Sequence, residues 1–110
     1  MKQAMISFIG AGMSIVQILD GDLVSLGVIP LLVHMATAVV LLVISAVSAI
    51  RTSGIERRMS LGNVGLVIVD GVLGPFLNPL LSVIHLFLAL GVLSNFSVMF
   101  GIESERGREK

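Results

Sequence analysis

Four long apolar segments dominate this chain and restrict what it can fold into. They span about residues 4–19, 30–50, 61–77 and 79–102. A bilayer core of roughly 30 Å is crossed by about 20 helical residues. Only 13% of the 110 residues are charged, about half the share in soluble domains. We therefore predict an all-α membrane protein, a bundle of four transmembrane helices that forms a single domain over residues 1–110.

The charges are sorted between the two ends of these predicted helices. The basic residues all fall at one end: Lys2, Arg51, Arg57, Arg58, Arg106, Arg108 and Lys110. Three acids, Asp20, Asp22 and Asp70, fall at the other end. By the positive-inside rule, both termini and the polar loop at residues 51–60 are predicted to be cytoplasmic, in the plasma membrane. Asp20-Gly21 and Asp70-Gly71 are then expected to form tight outward-facing turns.

Composition excludes several classes of protein. The chain has no cysteine, so disulfides, zinc–thiolate sites, iron–sulfur clusters and covalent c-type haem are excluded. Its formal net charge is zero, which argues against a nucleic-acid partner. Lys2 and the first apolar segment also fit a signal peptide, but this segment has a counterpart later in the chain, so we expect a transmembrane helix.

The chain contains an internal repeat of about 50 residues. The first copy covers about residues 4–50 and the second about 60–102, with a polar C-terminal tail at 103–110. When the copies are aligned on His34 and His85, an alanine follows four residues later in each. Each copy has two helices, so the copies share one orientation and a pseudo-twofold axis along the membrane normal. The predicted fold is therefore two repeated helical hairpins.

The two histidines occupy equivalent places in this repeat. His34 follows Asp20 by 14 residues, and His85 follows Asp70 by 15. Both should lie near the outer ends of helices two and four and face each other across the bundle. Ionisable groups within spans are functional candidates, and two facing histidines suit the axial positions of one haem iron. Alternatively, each histidine is a hydrogen-bonding partner for a neighbouring helix.

Asp20 and Asp70 are candidates for a supporting role. They are either solvated residues at the outer ends of the helices or acceptors for the second ring nitrogen of a ligating histidine. The latter arrangement would fix the tautomer of the histidine.

The stretch from Leu31 to Asn95 resembles one half of the haem A synthase family. Its family-like features are His34, Arg51 with Arg57 or Arg58, Gly71-x-Leu73-Gly74, and His85-Leu86 with Ala89. The resemblance implies that His34 and His85 ligate a b-type haem. Three features depart from the family pattern. Leu31 stands where the family has a glutamate linked to oxidation of the haem methyl, Asp70 stands where it has glutamine, and the outer loops are shorter than usual. The resemblance therefore implies haem binding without haem A synthesis.

These observations predict a membrane subunit that binds haem b through two histidines. It would transfer electrons in or next to a respiratory-type membrane complex and would not be a catalyst by itself. The alternatives are a cofactor-free structural subunit and a divergent haem-handling protein. A half-sized unit also predicts a homodimer or docking onto other membrane subunits. The candidate packing residues are Gly10, Gly12, Ser14, Gly62 and Gly65.

Overall fold

The computed structural model describes residues 2–76 and 78–108 and is almost entirely helical. The helices are α1 (Gln3–Ser25), α2 (Leu31–Arg51), α3 (Gly54–Leu73) and α4 (Pro79–Arg108). A short 3-10 turn at Gly74–Phe76 follows α3. Each of the four helices is long and apolar enough to cross a membrane. The predicted all-α bundle of four transmembrane helices is therefore confirmed.

The helices form an elongated bundle of 48 × 22 × 19 Å. Packing runs in a closed ring in which α1 contacts α2 and α4, and α3 contacts α2 and α4. Successive helices are antiparallel, so α1 lies diagonally opposite α3, and α2 lies opposite α4. The two hairpins of the repeat thus pack side by side.

Short, well-defined connections join the helices. α1 ends in a Schellman motif, in which Gly27 adopts a positive φ of 75° and donates to the Val24 carbonyl while Val28 donates to the Leu23 carbonyl. Asn78 starts α4 by accepting a hydrogen bond from the Leu81 amide at 2.8 Å.

Both expected Asp-Gly turns and most of the expected polar loop are helical instead. Asp20-Gly21 and Asp70-Gly71 lie inside α1 and α3, not in turns. The polar stretch predicted as a loop at residues 51–60 is mostly helix, because α2 ends at Arg51 and α3 already begins at Gly54. Asp20 and, in the second stretch, Thr52, Glu56 and Ser60 are buried inside the bundle, where other groups supply their partners, so these polar residues do not interrupt the helices.

The interior of the bundle is more polar than its surface. The buried apolar residues are Ile6, Leu41, Ala49, Val92, Phe96 and Met99. The buried polar residues are Ser7, Ser14, Asp20, Ser45, Ser48, Thr52, Glu56, Ser60, Asn63 and Glu103. Large apolar side chains cover the outside of all four helices. This inverted arrangement suits a lipid environment, since polar groups in a bilayer are satisfied within the bundle.

The polar segment at the C-terminus continues α4. Residues 103–108 of the predicted tail are helical, and Glu103 is buried against the other helices. The last two residues of that tail, 109 and 110, lie outside the described residues. α4 is consequently 30 residues long, about 45 Å, and it reaches well past the length needed to cross the hydrocarbon core.

Candidate functional site

Asp20, His34, Asp70 and His85 meet at one end of the bundle. Each comes from a different helix, and the ring order of the helices makes aspartate and histidine alternate around the bundle axis. The two histidines lie on the diagonal pair α2 and α4, and the two aspartates lie on the diagonal pair α1 and α3. The structure therefore brings together all four residues that the sequence singled out.

The first pair is a tight contact within the first hairpin. His34 Nδ1 lies 2.5 Å from Asp20 Oδ1, and the aspartate side chain is 8% exposed. The other oxygen of the same carboxylate, Oδ2, accepts a hydrogen bond from the Thr37 hydroxyl at 2.6 Å. The Thr37 hydroxyl also contacts the Gln17 side chain. Asp20 is thus held from two sides and orients the His34 ring.

The second pair repeats the contact with fewer supports. His85 Nδ1 lies 2.7 Å from Asp70 Oδ1, although the ring N–H does not point straight at the carboxylate oxygen. The positions equivalent to Gln17 and Thr37 are Val67 and Leu88, which cannot donate a hydrogen bond. The two halves of the site are therefore chemically unequal, and Asp70 depends on His85 alone.

The two imidazole rings face each other across the bundle. Their centroids are 6.3 Å apart, and the ring planes are inclined by 67°. In the described part of the chain, no hydrogen bond is made by either Nε2, because the aspartates occupy only the Nδ1 atoms. A separation of 6.3 Å with steeply inclined planes is an edge-to-face contact between the two rings.

A glycine on α1 lets the His34 ring pack closely against that helix. A Cβ atom on Gly21 would lie 2.8 Å from His34 Cε1, so the absence of a side chain there lets the ring lie against α1. Gly71 is exposed and has open space around it. It lines an open groove between α2 and α3, together with Ala38, Leu42 and Val67 among others, and the four site residues do not line this groove.

Sequence reasoning missed the supporting groups of the first pair. Gln17 precedes Asp20 by one turn, and Thr37 follows His34 by one turn. Polar side chains one turn apart lie on the same helix face, and this spacing was the available signal. Among the described residues, no group of three or more His, Cys, Asp and Glu could hold a metal ion by itself. Any metal here would need ligands beyond those four residue types.

No protein family, curated protein or solved structure matches the chain. The resemblance to one half of the haem A synthase family therefore stays a prediction that is based on the residues themselves.

Proposed function

We propose that the chain is a membrane subunit that binds haem b, with His34 and His85 as the two axial ligands. The observation that carries the proposal is the pair of imidazoles on diagonal helices, 6.3 Å apart. The porphyrin itself would supply the remaining four ligands of the iron, so two protein ligands are sufficient.

The aspartates give the histidines the form that a metal needs. An imidazole that donates its Nδ1 proton to a carboxylate carries its free electron pair on Nε2 and is a stronger ligand. The Asp20 carboxylate would hold His34 in this tautomer. Asp70 Oδ1 lies 2.7 Å from His85 Nδ1 and would do the same for His85 once the ring rotates to align its N–H. When bound, haem supplies one-electron redox chemistry. Ligation by two histidines leaves no open axial position, which favours electron transfer over oxygen chemistry. This supports a role in or next to a respiratory-type membrane complex.

The proposal is tested by the absorption spectrum of the purified full chain in mild detergent. We expect a sharp α-band in the reduced-minus-oxidised spectrum and one non-covalent b-type haem per chain, because there is one histidine pair. A folded, full-length preparation that binds no haem, both as isolated and after incubation with hemin, would contradict the proposal.

A second candidate function is a cofactor-free structural subunit of a larger membrane complex. The observation that favours it is that His34 and His85 already have carboxylate partners in the bundle. In that case the pairs tie α1 to α2 and α3 to α4 without a ligand. The same spectrum separates the two candidates, since a structural subunit lacks the α-band but folds and assembles normally.

We also propose that the histidine end of the bundle faces the outside of the plasma membrane. The basic residues at the opposite end, including Arg51, Arg57 and Arg106, support this orientation. Both termini would then be cytoplasmic, and a haem at this site would exchange electrons close to the outer surface.

Cysteine labelling tests the orientation, and the natural chain has no cysteine to interfere. We expect Asp22→Cys, near the outer end of α1, to react with a membrane-impermeant maleimide in intact cells. Ser53→Cys, in the exposed α2–α3 connection, should react only after permeabilisation. The opposite pattern would show that the histidine end is cytoplasmic.

A partner subunit or a second copy would pack on the outer face of the bundle. Gly10 and Ser14, two of the residues predicted for such packing, are buried inside the chain's own bundle. Gly12, Gly62 and Gly65 are exposed, and they are the predicted positions that remain open to another helix.

A further inference from the structure

Two glutamates are buried together at the end of the bundle opposite the histidines. Glu56 of α3 is 5% exposed, and Glu103 of α4 is 7% exposed. They are 47 positions apart in the chain, and sequence analysis assigned them to a loop and to a tail. Neither residue belongs to the candidate haem site.

The contacts of the two carboxyl groups leave one buried oxygen atom, Glu103 Oε2, without a hydrogen-bond donor. Ser7 donates a hydrogen bond to Glu103 Oε1 at 2.5 Å. Arg106 forms an ion pair with Glu56. Glu103 Oε2 is buried and has no donor, although the Glu103 and Glu56 carboxyl groups lie within hydrogen-bonding reach of each other. Two ionised carboxylates would repel each other at that position.

The surrounding groups do not balance a second negative charge. Arg106 and Glu56 are the charged groups that act on Glu103. α1 contributes neutral Gln3 and Ser7, and α2 contributes neutral Ser48 and Thr52. The guanidinium of Arg57 donates to the Ala49 carbonyl. Arg106 is paired with Glu56, and the buried Glu103 Oε2 has no donor, so an ionised Glu103 would be unfavourable at that position.

We propose that Glu103 and Glu56 form a proton-binding site. One proton resides on Glu103 Oε2, and this O–H group donates a hydrogen bond to the Glu56 carboxylate. Arg106 neutralises the charge of that carboxylate. Binding the proton converts the Glu103 carboxylate to a carboxylic acid, and its release returns it to water at the same end of the bundle. The Arg106 side chain is 54% exposed and connects the buried pair with the aqueous phase. The site is independent of whether the chain binds haem.

Infrared difference spectroscopy of the full chain tests the site. At about pH 7, where an unperturbed glutamate is ionised, the wild type should show the carbonyl stretch of a protonated carboxylic acid, with a shift in D₂O. Glu103→Gln should lose this band, while its amide keeps a donor toward Glu56 and an acceptor for Ser7. Glu56→Gln should lose it as well, because Glu103 then has Arg106 to itself and ionises.

The matched control is Glu105→Gln, which removes an exposed carboxylate two residues away on the same helix. It should leave the band unchanged. The proposal would be overturned by a wild type without the band. It would also be overturned by a band that persists at wild-type strength in both Glu103→Gln and Glu56→Gln.

A stability measurement provides an independent test. If the native chain holds a proton that the unfolded chain releases, stability must fall as the pH rises. Between about pH 6 and about pH 8, where unfolded glutamates are ionised, the unfolding midpoint of the wild type should fall more steeply than that of Glu103→Gln. Equal slopes would also overturn the proposal.

Discussion

Replacement of His34 by alanine should abolish the low-spin haem spectrum, and so should replacement of His85. In the proposed site each imidazole would supply one of the two protein ligands of the iron, and the neighbouring groups could not replace it, because they are carboxylates paired with the histidines. Loss of one ligand should convert any residual haem to a high-spin form, and loss of both should prevent haem retention. Optical spectra and a pyridine haemochrome assay of the purified variants measure these effects.

Matched controls separate ligand loss from general damage to the bundle. Ser45→Ala removes a buried hydroxyl on α2 that is bonded to the Leu41 carbonyl of its own helix. Ser97→Ala removes an exposed hydroxyl on α4 that is bonded to the Leu93 carbonyl of its own helix. Both variants should retain a full complement of low-spin haem. A double histidine variant with the wild-type spectrum would rule out the assigned ligands.

Substitution of Gly10 by alanine should destabilise the bundle, whereas the same change at Gly12 should not. A Cβ atom on Gly10 would lie 2.6 Å from the Phe96 ring, and that ring is completely buried, so it cannot move aside without displacing its neighbours. Such overpacking costs about 1–3 kcal/mol. Gly12 has no atom within 4 Å of the added carbon, and alanine there should stabilise the helix by about 0.5–1 kcal/mol, because glycine is a poor helix former.

Reversible unfolding in mixed detergent micelles, followed by circular dichroism, measures the difference. A second substitution, Phe96→Leu, provides a specific test of the mechanism, because a smaller side chain opposite Gly10 should relieve the clash. The double variant Gly10→Ala/Phe96→Leu should therefore lose less stability than the sum of the two single changes. Equal stability of Gly10→Ala and Gly12→Ala would show that α1 and α4 do not pack through this contact.

The sequence predicts the existence of the four helices better than it predicts the residues at which they begin and end. Each span can be recognised from a run of some 20 apolar residues, which is a property of the segment alone. The ends depend on polar residues whose partners lie on other helices. Asp20-Gly21 is typical of a turn, but its carboxylate is satisfied by His34 and Thr37, so α1 continues to Ser25. Likewise, Glu56 and Ser60 are one turn apart and face the interior, so α3 begins early.

The candidate site, too, could be predicted only in part from the sequence. The repeat alone places His34 and His85 at similar depths on diagonal helices, and their proximity follows from it. The contacts of Asp20 and Asp70 remained an open alternative, because they depend on the rotation of α1 and α3 about their axes. The Glu56–Glu103 pair was beyond the sequence argument, since neither residue lies in the repeat pattern and their contact is set by the packing of α3 against α4.

The polar interior of the bundle has a consequence for where this chain can fold. In water, helices assemble because burial removes apolar surface from the solvent, but here only six apolar residues are buried among residues 2–76 and 78–108, while many large aliphatic side chains point outward. A variant whose outer surface was redesigned with lysine and glutamate would be soluble, yet its helices would have little reason to associate. Lipid is thus the solvent in which the bundle is the preferred state. Lipid offers Ser, Asn and Glu side chains no hydrogen-bond partners, so these side chains pair with one another inside the bundle.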